Sequence, residues 1–311
     1  MGYLSISLLG LMGLAAIGYG SPTVSYLNDM EEEPDSEEFG QFMGRKKTTC
    51  KCGWTNKSFG RIVGGKPAEE NEYPYLVRVS MDTSWGVANI CGGTIVTNYH
   101  VLTASHCTTD VDAQYYVTTG QHIVNLPSNR SRMYRVEKVI NHPEYNQIND
   151  WNDLSVLVIA EKMEFNQFVG PVCLPSANRI DLPGQWVKAA GWGDTQYYGS
   201  SSVVLMKVFL KVIGHKECQE AYKGSDDVAP NPIQFCTYRT KKDTCQGDSG
   251  GPILWLDPKT NRYTLVGVVS FGIACADGTP AVNTDVQVYM PWILATIKDN
   301  QRGSDTSCHI D

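Results

Sequence analysis

The sequence has little that favours a membrane or a polyanion as its partner. After residue 19 it contains no apolar run of membrane-spanning length, and a helix needs about 20 such residues to cross a bilayer. An excess of positive charge is also missing, because residues 62–311 hold 20 basic and 26 acidic residues, a net charge of −6. We therefore expect neither a transmembrane segment nor a nucleic-acid-binding surface in this part of the chain.

The first twenty residues carry the one strongly apolar stretch of the chain. It spans residues 2–19 and ends in small residues near Gly20-Ser21, although no lysine or arginine precedes it. This pattern is typical of a secretory signal peptide, predicted as residues 1–20, and it indicates an extracellular protein. A membrane anchor is the alternative, but the stretch is interrupted by glycine and is short for a span.

Residues 21–61 differ in composition from the rest of the chain. Six acidic residues and a proline fall within residues 31–38, so this stretch cannot bury a core and is expected to be solvated. The basic run 45–47 and the stretch Cys50-Lys51-Cys52 follow. A basic run can bind polyanions and Cys-x-Cys can bind zinc, but no matching histidine pair accompanies these cysteines. The preferred interpretation is an acidic pro-segment, 21–61, that is open to processing.

A glycine-rich turn at residues 247–252, Gly-Asp-Ser-Gly-Gly-Pro, is the most informative part of the sequence. Glycines beside a serine let a substrate chain approach it closely. Backbone N–H groups in such a turn can stabilise the negative oxygen of a tetrahedral intermediate. Taken alone, such a turn is more often a loop that contains an incidental serine.

Two further segments supply the groups that a nucleophilic serine needs. A serine hydroxyl requires a base to take its proton, and the base requires a carboxylate that orients it. Residues 103–107, Thr-Ala-Ser-His-Cys, contain His106, and Asp153 precedes an apolar run. Each residue alone is explained equally well as a structural histidine or a turn aspartate. Together with Ser249, they occur in the order His106, Asp153, Ser249.

These three segments resemble the triad motifs of the trypsin and chymotrypsin family, in that family's order. The resemblance covers residues 62 to about 299. It implies that Ser249 is the nucleophile, that His106 is the general base and acid, and that Asp153 orients it. The N–H groups of Gly247 and Ser249 are the implied oxyanion hole. The order of the three residues along the chain excludes an esterase of the α/β-hydrolase type, because the serine comes first in that class.

The resemblance also implies an all-β fold: two antiparallel six-stranded β-barrels, with the active site between them, and a C-terminal α-helix. The residue pattern agrees, because the runs 75–79, 186–190 and 265–270 have the composition of strands and are separated by turn residues. Apolar residues within 289–297 have helical spacing, and we expect Pro291 in the first turn of that helix.

The junction Arg61-Ile62-Val63-Gly64-Gly65 resembles the site at which zymogens of this family are cut. Cleavage after Arg61 frees the amino group of Ile62, which can pair with a buried carboxylate of Asp248. Because Asp248 precedes the nucleophile, this pairing can order the oxyanion hole. We therefore expect a zymogen with a peptidase domain at residues 62–311.

Substrate preference is expected to depend on Asp243, which matches the aspartate at the base of the trypsin pocket. An unpaired buried charge is costly, so this carboxylate favours arginine or lysine before the cut. A loop aspartate beside two lysines is the alternative interpretation. Ser270 and Gly272 resemble the wall that pairs with the substrate backbone. Ala281 stands where trypsin-like members have glycine, and its methyl group is expected to crowd the pocket.

Ten cysteines agree with an oxidising compartment. The resemblance pairs Cys91 with Cys107, Cys218 with Cys236, Cys245 with Cys275, and Cys173 with either Cys50 or Cys52. The last bridge would keep the pro-segment attached after cleavage. The sequence does not decide between Cys50 and Cys52, and pairing of Cys308 with the other is a guess. Val187 and Trp255 occupy the positions of a further bridge common in the family.

No metal and no cofactor are expected, because residues 121–129, which correspond to the calcium loop of some relatives, contain no carboxylate. Sequons at Asn56 and Asn129 predict glycans.

We expect the protein to be a monomer. Its expected partners are protein or peptide substrates, an activating trypsin-like protease and protein protease inhibitors. The stretch Cys-Lys-Cys-Gly is similar to insect secreted and venom proteases. A catalytically silent homologue that binds or regulates cascade proteins is the alternative function.

Overall fold

A computed structural model describes residues 40–56, 66–124, 126, 128–195, 199–229, 231–273, 275, 278–303 and 305–310. The predicted signal peptide, the acidic run 31–38 and the junction Arg61-Ile62 lie outside these residues. No helix in the described ranges is both long and apolar enough to cross a membrane.

The described residues form thirteen β-strands, and the strands pair only in antiparallel fashion. They are β1 (Lys66–Pro67), β2 (Leu76–Thr83), β3 (Gly86–Ile95), β4 (His100–Thr103), β5 (Tyr115–Thr119), β6 (Arg132–Asn141), β7 (Ser155–Ile159), β8 (Trp186–Gly191), β9 (Met206–Ile213), β10 (Gln234–Tyr238), β11 (Pro252–Asp257), β12 (Arg262–Phe271) and β13 (Ala281–Asp285).

The strands close into two barrels of six strands each. The first barrel has the order β2-β3-β4-β7-β6-β5, and the second has the order β9-β10-β13-β12-β11-β8, closed by pairing of β8 with β9. Strand β1 adds to the second barrel at β9. Together with the C-terminal helix described below, this confirms the predicted fold of two antiparallel six-stranded barrels.

Strands β4 and β7 are neighbours in the first barrel and are buried along their whole length. Strand β7 has the sequence Ser-Val-Leu-Val-Ile, without the apolar and polar alternation of a strand that faces water on one side. Burial on both faces makes this pair of strands a rigid base for the residues at their ends.

Two α-helices and one 3-10 turn complete the described structure: α1 (His215–Ala221), α2 (Val286–Asp299) and the turn Ser105–Thr108. Helix α2 begins earlier than expected, so the prediction that Pro291 lies in its first turn is wrong. Asp285 caps the helix, because its carboxylate accepts a hydrogen bond of 3.0 Å from the N–H of Gln287. The cap therefore sets the first residue of the helix, and Pro291 follows inside it.

Five disulfides use all ten cysteines: Cys50–Cys308, Cys52–Cys173, Cys91–Cys107, Cys218–Cys236 and Cys245–Cys275. Two of them join residues 40–56, which lie within the predicted pro-segment, to Cys173 between β7 and β8 and to Cys308 near the C-terminus. Backbone hydrogen bonds beside Cys52 support the attachment: the N–H of Gly53 donates to the carbonyl of Pro171 at 2.9 Å, and the N–H of Tyr263 donates to the carbonyl of Gly53 at 2.8 Å.

Candidate active site

Two adjacent strands bring His106 and Asp153 together. Thr103, the last residue of β4, is paired with Ser155, the first residue of β7. His106 follows three residues after Thr103, in the 3-10 turn, and Asp153 lies two residues before Ser155. Because antiparallel neighbours place the end of one strand beside the start of the other, both residues lie at the same end of the strand pair.

Asp153 is fully buried, and its carboxylate binds three donors. Its Oδ1 accepts the backbone N–H of His106 at 2.9 Å, and its Oδ2 lies 2.7 Å from Nδ1 of the His106 ring. The Oγ of Ser270 also donates to Oδ2, at 2.6 Å. This arrangement fixes the ring and places its proton on Nδ1, which leaves Nε2 able to accept a proton.

The environment makes the imidazole of His106 a stronger base than usual. Burial lowers the pKa of His106, but the hydrogen bond and the negative charge of Asp153 raise it, and the resulting pKa is above the ordinary 6.5. Asp150 contributes a smaller effect in the same direction. Proton transfer to this ring is therefore favoured relative to transfer to an isolated imidazole.

Ser249 lies in a turn that only glycines allow. Gly247 and Gly250 have φ angles of +92° and +74°, a region that side-chain-bearing residues rarely adopt. A Cβ atom at Gly250 would also overlap Thr103 and the carbonyl of Gly92. The N–H of Gly92 donates to the carbonyl of Ser249 at 2.8 Å, which ties the turn to strand β3 of the other barrel.

A cavity of about 280 Å³ contains most of the residues that the sequence predicts for the site. His106 enters it from the first barrel. The loop before β11 and the ends of β12 and β13 supply the others, Ser249, Ser270, Gly272 and Ala281. The cavity thus contains two of the three triad candidates, His106 and Ser249, and three of the four predicted substrate-binding residues. The third candidate, Asp153, is bound to His106.

Asp243 lies elsewhere, in a neighbouring cavity of about 440 Å³ that also contains Asp248. The Oδ1 of Asp243 accepts the N–H of Thr244 at 2.8 Å. Asp243 therefore does not line the cavity that contains Ser249 in this structure, unlike the other predicted pocket residues.

Two backbone donors hold the carboxylate of Asp248. The N–H groups of Gly193 and Cys245 donate to its two oxygens at 2.8 and 3.0 Å. Among the described residues, no lysine, arginine or histidine forms an ion pair with it. Burial raises the pKa of Asp248 to about 6, although the two hydrogen bonds oppose this rise.

The two sequons differ in their surroundings. Asn129 is exposed, whereas Nδ2 of Asn56 donates to the carbonyls of Asn71 and Gln167 at 2.9 and 2.7 Å. A glycan on Asn56 would replace one hydrogen of this nitrogen and break one of these bonds. Asn129 is therefore the better placed of the two predicted glycosylation sites, and both stay predictions.

Sequence reasoning missed one residue of the site, Asp150. It lines the same cavity as His106 and Ser249. Its carboxylate, that of Asp153 and a ring nitrogen of His106 have atoms that all lie within 4.8 Å of one another. A second carboxylate beside the histidine leaves no motif in the sequence, because its contribution depends on where the loop folds.

Comparison with known proteins agrees with this geometry. A sequence model of the family described as Trypsin matches residues 62–293, which is most of the chain. The chain belongs to the trypsin family. It is 38% identical over 275 residues to a "Venom serine protease" of Polistes dominula, covering 86% of this chain and 93% of that protein.

Two other relatives of this trypsin-family protein are similar at a comparable level. "Venom serine protease 34" of Apis mellifera is 36% identical over 263 residues, which cover 82% of this chain and 62% of that protein. The "Proclotting enzyme" of Tachypleus tridentatus is 35% identical over 257 residues, which cover 78% of this chain and 68% of that protein. The protein is thus a trypsin-like serine protease, and it resembles insect venom enzymes as the sequence predicts.

Proposed function

We propose that this trypsin-family protein is a secreted endopeptidase, made as a zymogen, that cleaves peptide bonds after arginine or lysine. The observation that carries the proposal is the buried Asp153, which holds His106 by two hydrogen bonds in the cavity that also contains Ser249. Secretion is supported by the five disulfides and by relatives named venom serine protease.

In the proposed reaction, Oγ of Ser249 attacks the scissile carbonyl carbon while Nε2 of His106 takes its proton. Asp153 stabilises the imidazolium that forms. The tetrahedral intermediate collapses when the C–N bond breaks, and His106 gives the proton to the leaving amine. Water, deprotonated by His106, then hydrolyses the acyl-enzyme and frees Ser249.

The proposed oxyanion hole consists of the backbone N–H groups of Gly247 and Ser249. Neither group donates to an acceptor within the part of the chain that the structure describes. Both are therefore available to the negative oxygen of the intermediate, where one such donor lowers the barrier by about 2.7–4 kcal/mol.

Activation is proposed to follow cleavage between Arg61 and Ile62. The unpaired carboxylate of Asp248 supports this step, because a carboxylate in a partly enclosed cavity gains most from a cation that enters it. The new ammonium of Ile62 is the proposed cation. Asp243 lines the same cavity as Asp248, so entry of this ammonium would also change the surroundings of Asp243. The proposal requires that Asp243 faces the substrate after activation.

The pro-segment is proposed to remain attached after this cleavage. Cys50 and Cys52 lie before the cut and are bonded to Cys308 and Cys173, which lie after it. An activating protease that cuts after arginine and protein inhibitors that enter the cleft are the proposed partners. Similarity to a proclotting enzyme supports activation of this chain from a precursor.

The test compares the intact chain, the chain cleaved after Arg61, and Arg61→Gln exposed to the same activating protease. We expect hydrolysis of peptide amides with arginine or lysine before the bond only from the cleaved chain. Labelling of Ser249 by an organophosphate should appear in the same sample and be absent from Ser249→Ala. Full activity of Arg61→Gln would refute zymogen activation, and an unlabelled cleaved chain would refute catalysis.

Specificity is tested separately with Asp243→Asn in the cleaved chain. Loss of the partner of a buried substrate charge should reduce kcat/KM for arginine substrates by about a hundredfold or more. Organophosphate labelling of Ser249, which needs no cationic side chain, serves as the control and should persist. Faster cleavage by the unaltered enzyme after phenylalanine or tyrosine than after arginine would contradict the proposed role of Asp243.

A further inference from the structure

The carboxylate of Asp150 lies in the cleft beside the proposed catalytic histidine, and the proposed reaction does not use it. Asp150 belongs to the loop between β6 and β7 and lines the cavity that contains His106 and Ser249. A carboxylate oxygen of Asp150 is within 4.8 Å of both a His106 ring nitrogen and an Asp153 oxygen. It is therefore positioned to contact a substrate next to the reacting bond.

The loop holds Asp150 in one defined position. Its backbone has a φ of +51°, in the left-handed region that aspartate and asparagine tolerate best among residues with side chains. The hydroxyl of Tyr145 donates to Oδ1 of Asp150 at 2.7 Å. Next to it, the indole N–H of Trp151 donates to the carbonyl of Asp227 at 3.0 Å. A group fixed in this way binds a ligand without a large entropic cost.

The charge of Asp150 is not neutralised within the described residues. No lysine or arginine there lies within 4.0 Å of its carboxylate. Burial, followed by the negative charges of Asp153 and Asp227, raises the pKa of Asp150, while Tyr145 and His106 partly oppose this rise. A fixed, partly buried anion without a cation is favourably placed to bind a cation that a ligand supplies.

The course of an extended substrate decides which of its residues reaches Asp150. Successive side chains of an extended chain point to opposite sides. If the residue before the scissile bond enters the pocket near Gly272 and Ala281, on the second barrel, the residue preceding it points towards the first barrel. His106 and Asp150 are the first-barrel residues that line this cavity.

We propose that Asp150 recognises a lysine or arginine at the second position before the scissile bond, so that the preferred substrates carry two consecutive basic residues. This inference rests on the proposed function, because it requires cleavage after a basic residue. It narrows the substrate class from single basic residues to dibasic sequences.

The test uses the full chain, cleaved after Arg61, and two fluorogenic peptide amides that differ in one group. Both end in arginine before an aminomethylcoumarin amide, and the preceding residue is arginine in one and citrulline, its neutral isostere, in the other. We expect the unaltered enzyme to show a kcat/KM about tenfold higher for the arginine peptide, a typical effect of a charge-assisted hydrogen bond.

Asp150→Asn should abolish this preference. The variant keeps an acceptor for Tyr145 and a residue type that tolerates positive φ, so its folding should be preserved. Asp226→Asn, which removes an equal charge from an exposed position in a neighbouring loop, should leave the ratio unchanged. A structural role, or an effect through His106, would lower kcat/KM for both peptides and leave their ratio intact.

Each other outcome has a distinct meaning. If the unaltered enzyme cleaves both peptides equally well, or if Asp150→Asn keeps the preference for arginine, the role of Asp150 is refuted and the proposed function stands. If the cleaved chain hydrolyses neither peptide, the proposed function itself fails, and this inference fails with it.

Discussion

Replacement of Asp248 by asparagine should remove a loss of stability that the intact chain undergoes between pH 4 and neutral pH, although it also removes two charge-assisted hydrogen bonds. The carboxylate has no cationic partner among the described residues and is held by the N–H groups of Gly193 and Cys245. The perturbation is made in Arg61→Gln, so that Ile62 stays in a peptide bond. Asparagine has nearly the same shape as aspartate and carries no charge.

The magnitude follows from the pKa of Asp248, which burial raises from 3.8 to about 6. A rise of this size corresponds to about 3 kcal/mol between the protonated and ionised forms. At pH 4, where the carboxyl is protonated, the asparagine protein should be the less stable of the two, because its NH2 group cannot accept the second of the two N–H groups that Asp248 binds. Ionisation of the carboxylate between pH 4 and 7.5 should then shift the difference in stability by about 2–3 kcal/mol in favour of the asparagine protein.

The sign follows from proton binding. The folded chain holds the proton of Asp248 up to about pH 6, whereas the unfolded chain releases it near 3.8. Between these values the folded state binds more protons, so the stability of the unaltered chain falls as pH rises. Asp248→Asn removes this contribution, so its stability should rise relative to that of the parent between pH 4 and 6.

The assay is guanidinium unfolding with disulfides intact, followed by tryptophan fluorescence at pH values from 4 to 7.5. The control is Asp181→Asn, a charge removal at an exposed position, which should give a curve nearly parallel to that of the parent. If the difference between Asp248→Asn and the parent stays constant with pH, the carboxylate does not titrate as argued, and the reasoning on its unpaired charge is wrong.

Three further predictions concern the cleaved enzyme. Burial lowers the pKa of His106, but Asp153 raises it more. We therefore expect kcat/KM to fall as the pH is lowered, with a midpoint above pH 6.5. A midpoint below pH 6.5 would show that Asp153 does not outweigh burial. Ala281→Gly should raise kcat/KM for arginine peptides by about tenfold, because a methyl-sized change in a pocket is worth about 1–3 kcal/mol; an unchanged rate would mean that Ala281 does not crowd the pocket. On non-reducing gels, Cys50→Ser should keep the pro-segment bound through Cys52, whereas Cys50→Ser with Cys52→Ser should release it.

Local sequence patterns identified most of the fold. The predicted strand runs 186–190 and 265–270 lie within β8 (Trp186–Gly191) and β12 (Arg262–Phe271), because buried strands are rich in β-branched and other apolar residues. The start of α2 was misplaced, since the cap formed by Asp285 is a side-chain contact that apolar spacing does not reveal.

The candidate catalytic residues could also be predicted from the sequence, because a nucleophilic serine, its base and the orienting carboxylate each occur in a short motif. His106, Asp153 and Ser249 each lie in a short motif. The folded chain brings His106 and Ser249 to one cavity and binds the buried Asp153 to His106. Asp150 carries no motif. It became visible only when the loop between β6 and β7 placed its carboxylate beside His106.

By itself, the sequence determined the candidate triad and, through its resemblance to the trypsin and chymotrypsin family, the expected barrel fold, since the motifs that carry this resemblance are short-range patterns. Only the tertiary structure decided that Cys52, beside Gly53 and its bonds to Pro171 and Tyr263, pairs with Cys173. It also decided that Asp150 and Asp248 form no ion pair with a described residue. Disulfide pairing, ion pairing and burial depend on residues that are distant in sequence, so no local sequence pattern encodes them.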